Sequence, residues 1–329
     1  MFKDRLTRAV RSNVAIVLSL GVWTCAHSAG YPERPIRIVI PFAPGGTTDL
    51  VGRHIASQLS ETVGWSVIVD NRAGAGGNIG TNIVAKATPD GHTLLLGSTS
   101  TLAINPGLYK KLPFDPVRDF APVTLAVTST GVLVVHPSIA AKSVSELVTL
   151  IKSRAGKLNY ASAGSGSSPH LVAEMFKGMA GVDLVHVPYK GTGPALVDLL
   201  GGQTVTLMMP NIPVVLAHIR GGKLRALAVT SIKRSTLVSD VPTLAESGFA
   251  GFDVSEWFGI VAPSGISNEI RGRLATLVSQ FIVKPDVKER LEAIGLEPVG
   301  STPQQLAVRL KEDIVKFGKV ISAIGVQAD

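Results

Sequence analysis

The sequence predicts a mixed α/β protein with room for two structural units. From residue 36 onward, short runs of β-branched residues alternate with amphipathic stretches, which is the rhythm of parallel sheets covered by helices. A length of 329 residues is enough for two ordinary domains. Hydrophobic residues make up 45% of the chain and charged residues 17%, which excludes a largely disordered protein.

The first 28 residues have the pattern of a secretory signal peptide. Basic residues precede an apolar stretch over residues 14–25 that is too short to span a bilayer, and small residues follow around Ser28. We predict cleavage near Ser28 and a periplasmic location, with an uncleaved anchor as the alternative. Cleavage there would remove Cys25, the single cysteine, and would exclude disulfides and thiolate sites from the mature protein.

The first predicted unit begins with a strand, a glycine-rich loop and a helix. A strand over residues 36–40 runs into the loop PFAPGGTTD, residues 41–49, and apolar residues then repeat at helical spacing until Gly64 can end the helix. A second helix is predicted from about Asn78. Further strands are predicted over residues 67–69, 93–96, 123–127 and 132–135.

The second predicted unit repeats this arrangement. A strand over residues 158–161 runs into ASAGSGSSPHL, residues 161–171, where Pro169 suits the first turn of a helix that Gly181 can end. The following elements are strands over residues 184–187, 205–209 and 224–230, a helix over residues 195–200 and a short helix after Asn211. Capping-box spacing predicts two more helix starts, at Ser143 with Glu146 and at Thr302 with Gln305.

The basic balance of the chain does not indicate a nucleic-acid-binding protein. The formal net charge is +8, but the basic residues are dispersed and aromatic residues make up only 5%, so basic stripes and stacking platforms are missing. Residues 74–80 lack the GxGxxG spacing, no Walker sequence occurs, and the histidines form no HExxH pair. We therefore expect no nucleic acid, no cofactor and no metal.

The two glycine-rich loops carry the strongest functional signal. Each lies between a strand end and a helix start, where unpaired N–H groups and the helix dipole favour an anion. Two such loops facing each other across a crevice would bind a small molecule with carboxylate groups. The alternative is that their glycines and hydroxyls only form turns and caps. For Asp49 we favour helix capping over attraction of an ammonium group, and for His170 a role in holding the loop over donation to a carboxylate.

A catalytic function has weaker support in the sequence. No GxSxG elbow occurs, and no Ser-His-Asp set appears in the order of a hydrolase. A secreted serine hydrolase that uses Ser167 or Ser168 with His170 is one alternative, and a ligand sensor for a signalling receptor is another.

Six blocks, in order along the chain, carry a family resemblance. They are PFAPGGTTD at 41–49, NRAGAGGNIG at 71–80, NYASAGSGSSPHL at 159–171, VPYKGTGPALVDLLGG at 187–202, LRALAVTS at 224–231 and EWFGIVAP at 256–263. From about Tyr31 to the C-terminus, the sequence resembles the Bug-type solute-binding proteins of tripartite tricarboxylate transporters.

This resemblance implies a type II periplasmic-binding-protein fold, in which two α/β lobes joined by two crossover strands enclose a ligand cleft. Lobe I would comprise residues 29–130 and 229–329, and lobe II residues 131–228. The implied function is that of a periplasmic receptor without catalytic activity, expected to be a monomer. It would bind a dicarboxylate, a tricarboxylate, an aromatic acid or an acidic amino acid and deliver it to a membrane permease.

The resemblance also implies a set of ligand-binding residues. They are Phe42, Gly45, Gly46, Thr48 and Asp49 in the first loop, Ser98, Ser100 and Asn105 after the strand at residues 93–96, and Gly164, Ser165, Gly166, Ser167, Ser168 and His170 in the second loop. Met208 and Met209 stand where the family often has polar or aromatic residues, which argues against a ligand contact from that strand.

Overall fold

The computed structural model describes residues 30–328, so the predicted signal peptide and its cleavage site lie outside the described residues. The chain from Arg34 onward forms one compact unit that contains every strand. None of the helices in this described part is long and apolar enough to cross a membrane.

One half of this unit is built on a six-stranded sheet with the strand order β11-β4-β10-β3-β1-β2. Its strands are β1 (Ile36–Ile40), β2 (Val67–Asn71), β3 (Thr93–Ser98), β4 (Phe120–Thr130), β10 (Ser255–Pro263) and β11 (Glu297–Pro298). β1 pairs in parallel with β2 and β3, whereas β10 runs antiparallel to both β3 and β4.

The other half is built on a five-stranded sheet with the order β7-β6-β8-β5-β9. Its strands are β5 (Val132–Val135), β6 (Asn159–Ser162), β7 (Val185–Pro188), β8 (Leu207–Met208) and β9 (Arg225–Val229). β6 is parallel to β7 and β8, whereas β5 is antiparallel to β8 and β9.

The expectation of parallel sheets is therefore wrong for β5, β10 and β11, which run antiparallel to their neighbours. Of these, β5 and β10 follow directly on a passage of the chain from the opposite sheet. A helical crossover within one sheet makes successive strands parallel, but a strand that arrives from outside the sheet is free of that constraint.

The two passages between the sheets run side by side. The chain leaves the six-stranded sheet through Gly131, between β4 and β5, and returns between β9 and β10. The Gly131 N–H donates to the Thr230 hydroxyl at 3.0 Å, and the Thr230 N–H donates to the Gly131 carbonyl at 2.9 Å. Paired strands of this kind can act as a hinge, because small changes of backbone angle there reorient whole sheets.

Ten helices cover the two sheets in the described part of the chain. They are α1 (Thr47–Val63), α2 (Asn78–Ala85), α3 (Asn105–Leu108), α4 (Val144–Ser153), α5 (Ser168–Ala180), α6 (Thr192–Gly201), α7 (Ile212–Arg220), α8 (Asn268–Ile282), α9 (Pro285–Glu292) and α10 (Pro303–Ile324). The sequence analysis predicted no helix at α8 or α9 and no strand at β10, and the strand predicted over residues 205–209 shortens to β8.

Most predicted helix ends agree with the structure, but α6 begins at Thr192 instead of residue 195, and α4 differs in its cap. Gly64 and Gly181 end α1 and α5 in the left-handed conformation, and Thr302 forms a complete capping box with Gln305. The Ser143 hydroxyl accepts the Glu146 N–H at the start of α4, but the Glu146 carboxylate bonds to the Lys142 N–H instead of that of Ser143. Only half of that capping box forms.

Strand β10 has one face in the hydrophobic core and the other toward the space between the two sheets. Its Trp257 is fully buried and donates its indole N–H to Asp313 of α10 at 2.8 Å. Side chains alternate along a strand, so Glu256 and Phe258 project to the opposite face from Trp257. That face lines the cavity described next.

Candidate functional site

A small cavity of about 20 Å³ lies where residues from both halves of the molecule meet. Its lining residues are Phe42, Gly46, Thr47, Thr48, Ser100, Ala163, Ser167, Pro169, Thr192, Asn211, Glu256 and Phe258. A volume of this size holds about one water molecule. A cleft of about 270 Å³ lies beside it, shares Phe42 and Ala163 with it, and is also lined by Gly164 and Ser165.

Four helices contribute residues from their N-terminal ends to this cavity. These helices are α1, α5, α6 and α7, and none of their N-cap residues accepts a hydrogen bond with its side chain. By contrast, the serine or threonine N-caps of α4, α8 and α10 each accept a backbone N–H in the usual way. The positive ends of four helix dipoles therefore point toward one small space, which favours an anion.

The start of α1 presents uncommitted donors to the cavity. The first bond within the helix runs from the Leu50 N–H to the Gly46 carbonyl at 3.0 Å, so the N–H groups of Thr47 and Thr48 have no acceptor within the helix. Gly46, as the N-cap residue, has no side chain to accept them. Gly46, Thr47 and Thr48 all line the cavity, so these N–H groups are the donors best placed to bind a carboxylate.

Asp49 holds the first loop in place. Its carboxylate accepts hydrogen bonds from the Gly45 N–H at 3.1 Å, from Arg53 Nε at 3.0 Å and from Asn71 Nδ2 at 3.0 Å. Burial raises the pKa of Asp49, but the bonds from Arg53, Gly45 and Asn71 outweigh that effect and leave the pKa below its ordinary value. The side chain is thus an ionised clamp on its own loop, and Asp49 is not among the residues that line the cavity.

Three N–H groups of the second loop, and those of the first turn of α5, are used within the protein. The Gly164 N–H donates to the Ser162 hydroxyl, the Gly166 N–H to His170 Nδ1 and the Ser167 N–H to the Gly164 carbonyl. At the start of α5, the Ser168 N–H donates to the Ser100 hydroxyl at 2.8 Å, Pro169 has no N–H, and the His170 N–H donates to the Ser167 carbonyl. The first turn of α5 therefore has no N–H left for an anion.

Two stacked histidines support this loop from behind. The rings of His170 and His186 stack with their centroids 4.2 Å apart, and Tyr160 stacks on His186 at 4.8 Å. Burial lowers the pKa of each histidine to about 4, so both are neutral at neutral pH. His170 accepts the Gly166 N–H and so fixes the loop. The Ser167 hydroxyl donates to the Gly164 carbonyl at 2.7 Å, so it is not paired with His170 as a hydrolytic nucleophile would be.

Glu256 lines the cavity, although the sequence did not mark it as a candidate site residue. Its side chain is buried, lines the cavity and accepts hydrogen bonds from the Ser100 hydroxyl at 2.6 Å and from Asn211 Nδ2 at 2.8 Å. Burial raises the pKa of Glu256, and the hydrogen bonds from Ser100 and Asn211 oppose this rise only in part. Its signal in the sequence is a single acid within the otherwise uncharged strand β10.

Some of the other predicted residues line the cavity, and others do not. Phe42, Gly46, Thr48, Ser100 and Ser167 line it directly. Ser98 and Asn105 are fully buried, and the Asn105 amide donates to the Gly76 carbonyl at 3.1 Å and to Asn78 Oδ1 at 2.6 Å. Met208 and Met209 are buried and are not part of the lining.

Thr192 and Asn211 line the cavity although the sequence analysis did not propose them. The criterion applied to the two glycine-rich loops would have found Thr192. It lies in Gly191-Thr192-Gly193, where strand β7 is followed by the first residues of α6. Asn211 is likewise the N-cap of α7.

Hydrogen bonds connect the two sides of the molecule around the cavity. The Ala43 N–H donates to the Lys190 carbonyl at 3.0 Å, and the Tyr109 hydroxyl donates to the Ser165 carbonyl at 2.7 Å. The bonds of Ser168 to Ser100 and of Asn211 to Glu256 also join the halves. Contact is so close that a Cβ atom on Gly76, whose φ is +59°, would lie 2.0 Å from the Ser165 carbonyl oxygen. The two halves are thus in direct contact around the cavity.

This architecture defines the class of protein. Two α/β lobes, joined by two passages of the chain and closed over a polar cavity, constitute a two-lobe periplasmic-binding-protein fold. The family described as "Tripartite tricarboxylate transporter family receptor" (TctC) matches residues 51–326. The chain belongs to this family of solute-binding receptors, as the sequence resemblance predicted.

Individual relatives agree with this assignment. The protein BugT of Bordetella pertussis is 38% identical over 321 residues, which cover 97% of this chain and 98% of BugT. Rpa4515 of R. palustris, solved with adipate, has a TM-score of 0.88 and 38% identity and covers 90% of this chain and 99% of its own. MatC from Rhodopseudomonas palustris, solved with bound malate, has a TM-score of 0.85 and 35% identity over 88% of this chain and 100% of MatC.

Proposed function

We propose that this chain is an exported receptor that binds a small carboxylate between its two lobes and delivers it to the permease of a tripartite tricarboxylate transporter. The observation that carries the proposal is the start of α1, whose N–H groups at Thr47 and Thr48 lack acceptors within the helix at the wall of the cavity. The adipate and malate of the related structures are carboxylates and support the same ligand class.

In this proposal, the lobes take the boundaries that the sequence predicts, residues 29–130 with 229–329 and residues 131–228. The passages at Gly131 and Thr230 are their hinge. The first loop supplies N–H donors to one ligand carboxylate. Ser100 and Ser167 form part of the cavity wall, and their hydroxyl protons are directed to Glu256 and to the Gly164 carbonyl. Ala163, Ser167 and Pro169 form the opposite wall, Gly164 and Ser165 line the neighbouring cleft, and His170 fixes this loop through the Gly166 N–H.

Ligand entry requires the lobes to separate. The cavity of about 20 Å³ holds about one water molecule, so a carboxylic acid enters and fits only when the lobes are further apart than in this structure. A ligand that binds better between closed lobes than to open ones shifts the population toward closure. The permease can then distinguish a loaded receptor from an empty one by its shape.

A thermal-shift screen of the chain without its first 28 residues tests the binding step. The panel contains dicarboxylates, tricarboxylates, aromatic acids and amino acids, with matching neutral amides as controls. An acid present at 100 times its dissociation constant should add about 2.7 kcal/mol to the free energy of unfolding. If no acid raises the melting temperature while an ester is hydrolysed, the receptor proposal is wrong.

Uptake measurements then test delivery to a permease. Cells that carry the gene should accumulate the identified acid, and cells in which it is deleted should not. Unchanged uptake in the deletion strain, with loss of a transcriptional response to the same acid, would support the ligand-sensor alternative instead.

A further inference from the structure

Glu256 is a buried acid in a cavity whose other features favour anions. Only 5% of its surface is exposed, and it lines the same cavity as the first turn of α1. Within residues 30–328, it forms no ion pair, and the polar groups that act on it belong to the uncharged residues Ser98, Ser100 and Asn211 and include the Ser100 N–H. Binding of a carboxylate at the start of α1 does not explain why the acidic side chain of Glu256 lines the same cavity.

The hydrogen bonds around Glu256 are arranged for an ionised carboxylate. The Ser100 oxygen already accepts the Ser168 N–H, so the Ser100 hydroxyl proton is directed to Glu256 Oε1. Asn211 Nδ2 donates to the other oxygen, Oε2. Both partners are donors, which favours the charged form, whereas burial without a cation opposes it. A cation supplied to the cavity would resolve this conflict.

A ligand with an ammonium group supplies that cation. Its carboxylate would bind to the Thr47 and Thr48 N–H groups while its ammonium group pairs with Glu256. A second ionised carboxylate directed at Glu256 would instead meet a like charge in a closed site of low dielectric. Such repulsion is the usual means by which a site excludes close analogues of its ligand.

We infer that Glu256 is a specificity-determining residue. It selects an amino acid, which carries an ammonium group as well as a carboxylate, over the corresponding dicarboxylate without an ammonium group. The inference rests on the proposed function, because it takes for granted that a carboxylate binds at α1. It narrows the ligand class within that function.

Isothermal titration calorimetry with matched ligand pairs tests this inference. The pairs are aspartate with succinate and glutamate with glutarate, each differing by one amino group; any acid found in the screen is added with its amino-substituted counterpart. The wild-type protein should bind the amino acid at least about tenfold more tightly than its partner. In Glu256→Gln, this preference should disappear, while the affinity for the dicarboxylate stays the same or rises.

Glu289→Gln is the matched control, because it makes the same change at an exposed carboxyl on α9. It should retain the preference of the wild type. Circular dichroism verifies the fold of each variant. If Glu256→Gln does not fold, the wild type is titrated in two buffers of different ionisation enthalpy, which measures the protons taken up on binding. Proton uptake on binding of a dicarboxylate would overturn the inference, because Glu256 would then be a neutral hydrogen-bond donor.

The inference is also wrong if the wild type binds only acids without an amino group, if it prefers malate to aspartate, or if Glu256→Gln leaves the ratio unchanged. In each of these cases a carboxylate still binds, and the proposed function stands. If no acid in either pair or in the screen binds, the proposed function itself fails. The two failures are therefore distinguishable.

Discussion

The two glycine-rich loops look equivalent in sequence but differ in what their backbones can offer a ligand. At the start of α1, the N–H groups of Thr47 and Thr48 have no acceptor within the helix, and both residues line the cavity. At the start of α5, the N–H groups of Ser168 and His170 are bonded within the protein, and Pro169 has none. The first turn of α1 therefore offers N–H groups to an anion, whereas the first turn of α5 offers none.

This difference shows that a glycine-rich turn before a helix is not by itself an anion site. What decides is whether the orphan donors of the first turn are left free or are used to fix the turn. In this protein, the second loop packs closely against the other lobe and connects the two lobes through hydrogen bonds of Ser165 and Ser168. The two loops should therefore respond differently to mutation.

Gly166→Ala should have the largest effect, because it disturbs the fit of the second loop. An added Cβ would lie 2.3 Å from Asn105 Oδ1 and 2.7 Å from Tyr109 Cε2, at a residue whose φ is +89°. Overpacking and backbone strain together cost about 3 kcal/mol, which should weaken ligand binding roughly a hundredfold in calorimetry.

Gly181→Ala is the control for Gly166→Ala. Gly181 also has a positive φ, of +58°, but a Cβ there would meet no atom within 4 Å. This variant should lose some stability to backbone strain and keep its affinity. Equal affinities for both variants would show that close packing of the second loop against the other lobe is not needed for binding.

Ser100→Ala should have an intermediate effect, because it removes a bond between the lobes. The Ser168 N–H loses its acceptor and Glu256 loses a donor, both in a buried setting. Leaving a buried polar group unsatisfied costs about 1–3 kcal/mol, so the affinity for the identified acid should fall roughly tenfold. Ser322→Ala, which changes an exposed hydroxyl on α10, should have no effect. An unchanged affinity in Ser100→Ala would mean that this bond does not contribute to closure.

The histidines behind the second loop should make stability depend on pH. The pKa values of His170 and His186 are about 4 in the folded protein, below the ordinary value near 6.5, so the unfolded chain binds more protons between these values. Their contribution is present above pH 6.5 and is lost as the pH falls toward 4. The melting temperature should decrease over this window, and His186→Gln should flatten the decrease between pH 6.5 and 5. An equally steep profile in that variant would contradict the assignment.

Local signals in the sequence predicted much of the fold. The strand, loop and helix around residues 36–63, the glycine ends at Gly64 and Gly181, and the capping box at Thr302 depend on neighbouring residues and are found as expected. The direction of β5 and β10 was not predictable in this way, because it depends on the path of the chain between the sheets.

The difference in free N–H donors between the two loops was also not predictable from the local sequence pattern. It rests on contacts such as that of Ser100 with Ser168, which are 68 residues apart. Glu256 meets Ser100 across 156 residues, so no spacing rule marks it as part of a site. Thr192, by contrast, could have been found with the criterion that was applied to the two loops.

Removing one backbone donor from α1 tests the central claim most directly. Thr47 is the first residue of the helix, where proline fits without strain, and Gly46 before it is already extended with a ψ of 170°. Thr47→Pro therefore removes the N–H group and the side chain, whereas Thr47→Ala removes only the side chain. In calorimetry with the acid identified by the screen, Thr47→Pro should bind about tenfold or more weakly than Thr47→Ala, with the same melting temperature. Equal affinities of the two variants would contradict carboxylate binding at the start of α1.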